Sequence, residues 1–394
     1  MFSRLRSLHR QTVRRSDREQ RLRHDRVFDV LILGPLPPPL GGVSAHLSRL
    51  VPVLEGAGLR IGVLNHFHST DLPCVIGTLN RNPLNYYRLP RKVRARIVHY
   101  HHSHWATLVA LALGQRRGQC YVVTLHNPRI RRQLTSPLPL IGRLTRWALR
   151  RFDVIVAVNP DVGSIVREQL GGAVIEIIPA FVEPTDDAAK HYDAALEAFL
   201  QAGRTLVVAA YRIAFLRGDR EVYGLDTAVA AFEALAAEDP ALRLAIFIAK
   251  RPSGRKARQY VARLEAQLEE VGLRDRAVIS FELPLLPAFR HDVLYLRPSR
   301  SDGDAVSIRE ALHAGVPVVA SDVVERPAGV TLFPSEDVQQ LRSAIQRLLY
   351  RTRAGVARAG AESTNPSLGS SFSERLLDLY VSHLGPDVRR SPAE

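Results

Sequence analysis

The sequence predicts an α/β protein of two consecutive doubly wound domains, and three observations support this. The chain has 394 residues, which is enough for two domains that each bury a core. Short apolar runs, typical of buried parallel strands, alternate with helical patterns along most of the chain. The alternation pauses between Pro179 and Gly203, where Pro184, Asp186 and Asp187 indicate an interdomain linker.

The first half begins with the apolar run Phe28–Leu33, which predicts a strand, and a proline-rich loop follows it. The Gly41-Gly42 pair then opens a helical pattern that extends to Gly56. The further predicted strands of this half are Arg60–Asn65, Ile97–Tyr100, Tyr121–His126, Val154–Val158 and Ile175–Ile178. Helical patterns separate most of these strands, so we expect a parallel sheet that is covered on both faces.

The second half repeats this organisation. Its predicted strands are Thr205–Ala210, Leu242–Ile248, Ala277–Phe281, Val293–Leu296, Pro317–Ser321 and Val330–Phe333. Its predicted helices are Leu225–Ala236, Arg258–Val271, Ser307–Ala314, Asp337–Tyr350 and Leu376–Leu384, with one more at 188–200 in the linker. Ligands of doubly wound folds bind at the carboxyl ends of the strands, so we expect two domains that face a central cleft.

The predicted elements divide the chain into five parts. We expect a basic extension (1–26), a first domain (27–182), a linker (183–203), a second domain (204–350) and a C-terminal segment (351–394). The helix of the last segment is expected to pack back toward the first domain.

The charge is distributed unevenly along the chain. The formal net charge is +15, and nearly all the basic residues are arginine. Residues 1–26 contribute +6, and residues 72–152 contribute +15 because they contain no acidic residue. Such a one-sided positive field attracts an anionic membrane surface, a nucleic acid or an acidic substrate. No basic-aromatic module is apparent, so we do not expect nucleic acid as the partner.

Several features bear on where the protein acts. No apolar run reaches the roughly 18 residues that a membrane span needs, and the arginine-rich first 26 residues lack the apolar core of an export signal. Cys74 and Cys120 are the only cysteines, which fits a reducing cytoplasm. The segment Thr135–Arg151 predicts a basic amphipathic helix, which either lies on an anionic membrane or packs its apolar side on the sheet. We expect a cytoplasmic protein attached peripherally to the inner face of the cell membrane.

The segment Asp302–Glu310, DGDAVSIRE, contains the most informative motif. It follows a predicted strand, makes a turn and enters a helix at Ser307. The start of a helix at this edge of a sheet presents free N–H groups and a positive dipole end, which suit a phosphate. Asp302 and Glu310 can accept hydrogen bonds from sugar or ribose hydroxyls. The alternative is that Asp302 or Asp304 is only a turn or cap residue and that Glu310 is solvated.

This segment resembles the carboxyl-terminal signature of glycosyltransferase family 4. In that signature two acidic residues are separated by seven others, and Ala, Gly and Pro-Val follow, as in Glu310-Ala311 and Gly315-Val316-Pro317-Val318 here. The first acidic residue is usually Glu and is Asp302 in this chain. The resemblance implies the GT-B fold, with an acceptor-side first domain and a nucleotide-sugar-binding second domain. It also implies transfer of a sugar with retention at the anomeric carbon.

Other segments are similar to the same family. Pro38–Ser44 resembles its glycine loop, and Thr124-Leu125-His126 resembles a Thr-x-His whose histidine faces the donor sugar. Family members carry an Arg and a Lys that neutralise the leaving diphosphate. Tyr211-Arg212 supplies the Arg, but Tyr223 occupies the position of the Lys. Arg217 or Arg220 is a candidate for the missing charge.

The resemblance therefore implies a set of site residues. The catalytic candidates are His126, Arg212, Asp302 and Glu310. The donor-binding candidates are Gly41, Gly42, Arg212, Arg217, Asp302, Gly303, Asp304, Ala305, Val306, Ser307 and Glu310. We expect a nucleotide-diphosphate sugar as the donor, a lipid-linked or glycan acceptor, and no obligatory metal or other cofactor.

The sequence leaves three alternative interpretations open. The cluster His99, His101, His102 and His104 suggests a metal site, but no Cys, Asp or Glu is nearby, and we favour a loop that lines the cleft. The second alternative is a non-catalytic partner protein, which the missing Lys suggests. The third is a GT-B-type sugar-nucleotide epimerase.

Overall fold

The structure is a computed structural model that describes residues 27–38, 41–67, 72–184, 191–303, 305–353 and 372–385. These residues form two compact units. The first contains the described residues of 1–36, 47–180 and 370–394, and the second contains those of 37–46 and 181–369. The predicted basic extension and residue Asp304 lie outside the described residues.

The first unit is built on a parallel sheet of seven strands in the order β3-β2-β1-β4-β5-β6-β7. The strands are β1 (Phe28–Gly34), β2 (Ile61–Asn65), β3 (Val75–Thr78), β4 (Ala95–Tyr100), β5 (Cys120–Leu125), β6 (Val154–Ala157) and β7 (Ile175–Ile177). Their apolar side chains are almost all buried, as in a sheet covered on both faces. The strand order reverses between β1 and β4, which pair in parallel.

The helices of this part of the chain are α1 (Gly42–Gly56), α2 (Pro83–Lys92), α3 (Trp105–Leu113), α4 (Ile130–Leu134), α5 (Pro139–Leu149) and α6 (Pro160–Leu170). Asn82 and Asn159 cap α2 and α6, because their side chains accept from the N–H groups of Leu84 and Val162. Proline follows both caps, where its missing N–H costs nothing.

The last described helix, α12 (Phe372–Leu384), also belongs to the first unit. It packs against β4, with Leu376 and Tyr380 buried. The Arg96 guanidinium donates a hydrogen bond to the carbonyl group of Leu384, the last residue of this helix. Strand β4 is therefore in contact with a segment from the opposite end of the chain.

The second unit is built on a parallel sheet of six strands in the order β10-β9-β8-β11-β12-β13. The strands are β8 (Thr205–Ala210), β9 (Arg243–Ile248), β10 (Ala277–Phe281), β11 (Val293–Arg297), β12 (Val318–Ser321) and β13 (Val330–Phe333). The helices are α7 (Ala194–Gln201), α8 (Leu225–Ala236), α9 (Arg255–Glu270), α10 (Val306–His313) and α11 (Val338–Arg353). The strand order reverses between β8 and β11, and this is where a ligand site is expected.

The predicted fold class is confirmed, since both units contain a doubly wound parallel sheet. The short edge strand β3 was not predicted. The helix predicted in the linker begins at Ala194, because Asp193 caps it by accepting from the N–H group of Leu196. The helix predicted over Thr135–Arg151 is shorter, because it starts at Pro139. No helix among the described residues is both long and apolar enough to span a bilayer.

Candidate active site

The candidate donor site lies in the second unit, at the strand-order reversal. Strand β8 leads into Tyr211-Arg212, and β11 leads into the loop that enters α10. Since β8 and β11 are parallel neighbours, both segments leave the sheet at the same edge. The motif predicted from the sequence therefore surrounds the position where doubly wound domains bind ligands.

The glycine loop belongs to this unit as well. The hydroxyl group of Ser44 donates to the Gly41 carbonyl at 3.0 Å and accepts from the Gly41 N–H at 2.7 Å. A Cβ atom on Gly41 would lie only 2.7 Å from the Tyr211 ring, so the loop backbone packs closely against this ring. A Cβ atom on Gly42 would lie 3.9 Å from Val306. The structure thus brings together three segments that the sequence predicted as donor-binding.

Helix α10 presents its first turn at this edge. Ala305 precedes it with no side-chain cap, and no other described residue accepts from the N–H groups of Val306 and Ser307, which suit an anionic ligand. The Tyr295 hydroxyl on β11 donates to Oγ of Ser307 at 2.7 Å and fixes the helix to the strand. Ala305 and Val306 are buried, and so is Glu310 in the second turn. The alternative that Glu310 is solvated is therefore wrong.

Asp302 occupies a network of ion pairs. Its two carboxylate oxygens accept from Arg297 at 2.8 and 2.9 Å, and one of them also accepts from Arg326 at 2.9 Å and from Ser299 at 3.0 Å. Burial would raise the pKa of Asp302, but the two guanidinium groups outweigh it and hold this pKa well below its usual range. The Gly303 N–H also donates to this carboxylate. Direct contact between Asp302 and the donor hydroxyls stays a prediction. In such a contact, the carboxylate of Asp302 would bind the donor while it also holds the loop.

The predicted cations differ in their surroundings. Arg212 and Arg217 are exposed, Arg217 on a short 3₁₀ turn. Arg220 is paired with Glu336, which also accepts from Arg300 at 2.6 Å. Arg220 is therefore a poor replacement for the missing Lys. The sequence reasoning missed Arg297 and Arg326, although an arginine that ends the apolar strand β11 is an unusual signal.

A buried carboxylate holds the backbone around Tyr223. Glu221 accepts from the N–H groups of Tyr223 at 2.8 Å and of Leu225 at 3.3 Å through one oxygen. The other oxygen has no hydrogen-bond partner among the described residues. Burial raises the pKa of Glu221 to about 7, although the two N–H groups oppose the shift.

A histidine cluster occupies the corresponding edge of the first sheet. His126 follows β5, and its Nε2 lies 3.1 Å from Nδ1 of His101, which follows β4. The ring of His99 lies 4.0 Å from that of His101, centre to centre. His99 bonds through Nε2 to the hydroxyl of Thr124 at 2.7 Å. Both parts of the predicted Thr-x-His motif thus contact histidines that end β4.

The described side chains of the cluster are not arranged as a metal site. Within the described residues no three His, Cys, Asp or Glu side chains are grouped as metal ligands. Burial lowers the pKa of His66, whose ring packs against that of His102, well below its usual value. The His66 ring is therefore neutral at neutral pH.

Comparison with known proteins agrees with this geometry. Residues 40–186 match the family described as Glycosyltransferase Family 4, and residues 211–351 match Glycosyl transferases group 1. The lipopolysaccharide core biosynthesis mannosyltransferase LpcC of Rhizobium leguminosarum bv. viciae is 27% identical over 308 residues, or 75% of this chain and 78% of that protein. The 2-deoxystreptamine glucosyltransferase of Streptomyces kanamyceticus is 29% identical over 278 residues, or 64% and 67%.

Solved structures share the fold. Anabaena Alr3699/HepE in complex with UDP and glucose has a TM-score of 0.62 and 14% identity, over 90% of this chain and 100% of that chain. WaaG, a glycosyltransferase involved in lipopolysaccharide biosynthesis, has a TM-score of 0.60 and 16% identity, over 89% and 99%.

The two doubly wound domains have the GT-B fold that these solved structures share. The chain belongs to glycosyltransferase family 4, with a carboxyl-terminal domain of the glycosyl transferases group 1. It is therefore a transferase.

Proposed function

We propose that the protein transfers a sugar from a nucleotide-diphosphate donor to a hydroxyl group, with retention at the anomeric carbon. The observation that carries this proposal is the close approach of Gly41 to Tyr211 and of Gly42 to Val306, the first residue of α10. Close backbone approach, an adjacent arginine and free helix N–H groups are what a diphosphate requires. UDP in the Anabaena structure supports a donor of this class.

Each site residue then has a role in the proposed reaction. The first turn of α10 and Arg212 stabilise the charge that develops on the leaving diphosphate. Glu310 accepts hydrogen bonds from the ribose hydroxyls. His126, in the first unit, keeps its predicted catalytic role. No metal or cofactor is required, because cationic side chains and helix N–H groups bind the diphosphate.

The state of Asp302 favours a same-face reaction. A carboxylate that accepts from Arg297, Arg326 and Ser299 is a weak nucleophile, because these bonds stabilise its negative charge. A covalent sugar intermediate on Asp302 is therefore disfavoured. The acceptor hydroxyl attacks the face from which the diphosphate leaves, and the leaving phosphate oxygen takes the proton of that hydroxyl.

The acceptor proposed here is a lipid-linked or polysaccharide glycan of the bacterial cell surface. LpcC and WaaG are both described as proteins of lipopolysaccharide biosynthesis, which supports an acceptor of this class.

Glu310→Gln tests the donor assignment. The amide keeps the size of the side chain but loses the charge that binds the ribose, so we expect kcat/KM to fall roughly 10- to 100-fold with the accepted donor. Glu270→Gln, at the exposed end of α9, is the matched control. Unchanged transfer by Glu310→Gln from every accepted donor overturns the assignment. An inverted anomeric centre in the product, read by NMR, overturns retention.

We also propose peripheral attachment to an anionic membrane through one face of the first unit. Helix α3 packs against both α2 and α5. All three helices carry exposed apolar side chains, and α2 and α5 also contain arginines. Leu138 is 61% and Leu140 66% exposed at the start of α5, while Ala148 and Leu149 are buried. Helix α5 can therefore pack one side inside the first unit and present its exposed apolar side chains to a membrane. The exposed large apolar residues of this face are Leu84, Tyr87, Leu113, Leu138, Leu140 and Trp147.

Co-sedimentation with vesicles tests this attachment. We expect binding to vesicles with 30 mol% phosphatidylglycerol, chosen as roughly physiological, to weaken with salt and to vanish on phosphatidylcholine alone. Leu138→Ser with Leu140→Ser is expected to weaken binding about tenfold or more. The matched control is Val271→Ser with Leu332→Ser, since both residues are about half exposed in the second unit. Equal binding by the two double variants contradicts the assigned face.

A further inference from the structure

A buried arginine, Arg297, lies beside Tyr223, which occupies the position of the lysine that the family resemblance implies. The guanidinium carbon of Arg297 is 4.9 Å from the centre of the Tyr223 ring. Nη1 of Arg297 donates to the carbonyl group of Ala209 on β8 at 3.1 Å. Arg297 therefore extends from the end of β11 past the end of β8 to the residue that replaces the lysine. Its side chain is only 10% exposed.

The ion pairs around Arg297 leave one positive charge in excess. Arg297 and Arg326 both pair with Asp302, and Asp302 is the one carboxylate paired with either of them among the described residues. The side chains of Arg326 and Asp302 are 2% and 8% exposed. An unbalanced charge at such depth is costly, and a bound anion offsets this cost. The group formed by Arg297, Asp302 and Arg326 is therefore positively charged and buried, as a subsite for an anion must be.

We propose that Arg297, supported by Arg326 and placed against Tyr223, binds the donor's diphosphate in place of the missing lysine. This rests on the proposed function, because it assigns a partner to the diphosphate of that same donor. A guanidinium group has five N–H donors, and Asp302 and Ala209 account for three of them. The remaining two N–H groups are the candidates for binding phosphate oxygens.

The two arginines suggested by the sequence suit this role less well. Arg220 is paired with Glu336, whose second partner is Arg300. Arg217 is exposed to water on its turn, where screening weakens its attraction for an anion. Arg297 is buried, belongs to a group with an excess positive charge, and lies against Tyr223, which occupies the lysine position.

Isothermal titration calorimetry with UDP, GDP, ADP and dTDP, their monophosphates, and inorganic pyrophosphate tests the proposal. We expect wild type to bind one nucleoside diphosphate more tightly than its monophosphate, and to bind pyrophosphate weakly. Arg297→Met is expected to weaken diphosphate binding about tenfold and monophosphate binding less than about threefold. Arg300→Met is the matched control, because Arg300 is also buried but pairs with two carboxylates, Asp226 and Glu336. It is expected to bind like wild type.

A compensating substitution sharpens this test. Tyr223→Lys in the Arg297→Met background returns a cation to the same position and is expected to recover most of the diphosphate preference, whereas Tyr223→Phe recovers none. If Arg297→Met does not fold, as judged by circular dichroism, then Arg297→Lys decides. It keeps the charge, and we expect a smaller loss that is still selective for the diphosphate.

The outcomes separate the two proposals. Unchanged diphosphate binding by the Arg297 variants, or an equal loss for monophosphates and diphosphates, overturns the role of Arg297 and leaves the proposed function intact. If wild type binds none of the diphosphates, the proposed function itself fails, and the role of Arg297 fails with it.

Discussion

The hydroxyl group of Tyr380 lies 2.5 Å from Nδ1 of His99, although the two residues are 281 positions apart in the chain. Both side chains are fully buried. His99 in turn contacts Thr124 and the ring of His101, which is bonded to His126. Helix α12 therefore supports, through His99, the histidines at the carboxyl edge of the first sheet.

Tyr380→Phe is expected to destabilise the protein by about 1–2 kcal/mol, because it removes one buried hydrogen bond and keeps the ring. The free energy of unfolding in urea measures this. Tyr350→Phe, at a residue that is 75% exposed, is the control and is expected to change stability by less than about 0.5 kcal/mol. Equal effects of the two substitutions would show that the Tyr380 hydroxyl contributes nothing.

The sequence predicted most strands of both sheets, because a buried parallel strand reads as an apolar run whatever its neighbours are. The proposed donor site could be suggested from the sequence for a similar reason, since Asp302 and Ser307 lie close together in the chain. The bond between Tyr380 and His99 was not predictable, because no local pattern relates residues so far apart. The Arg297–Asp302–Arg326 group also required the structure, because Arg326 lies 24 positions from Asp302 and no local pattern relates the two.

His101→Leu is expected to lower kcat about tenfold with little change in the KM for the donor. A single N–H lies between Nδ1 of His101 and Nε2 of His126, so His101 fixes the tautomer and orientation of the His126 ring. His101 thus acts as a positioning residue. Steady-state kinetics across pH 5–9, a range chosen to bracket the ordinary histidine pKa of about 6.5, should show an altered kcat profile for this variant.

The exposed His104 of the same loop gives the control, His104→Ala, which is expected to have wild-type kinetics. His101→Asn offers a polar atom in a shorter side chain and is expected to retain more activity than the leucine variant. A change in KM alone, with kcat and its pH profile intact, contradicts a positioning role for His101.

Gly41→Ala is expected to raise the KM for the donor about tenfold. The added Cβ would lie 2.7 Å from the Tyr211 ring, so either the glycine loop or the ring beside Arg212 must move. Gly56→Ala, at the end of the same helix α1, is the control, because nothing lies within 4 Å of its added Cβ. Tyr211→Leu should partly restore the Gly41→Ala variant. Unchanged donor kinetics for Gly41→Ala argue against close packing of this loop.

The buried carboxyl group of Glu221 makes stability depend on pH. Its pKa is raised from the ordinary value of 4.5 to about 7 in the folded protein, mainly by burial. Between these values the native state binds more protons than the unfolded state. The free energy of unfolding therefore falls as pH rises through this window, and the full cost is present above it.

Glu221→Gln resembles the protonated acid and keeps an oxygen for the N–H groups of Tyr223 and Leu225. We expect it to flatten the stability curve between about pH 5 and 7, and to be more stable than wild type at pH 8 by on the order of 1–3 kcal/mol. Urea unfolding at intervals of pH measures both effects. Glu270→Gln, at an exposed position, should keep the wild-type slope. If wild type and Glu221→Gln have the same slope, Glu221 is already ionised throughout this range and the loop around Tyr223 tolerates its charge.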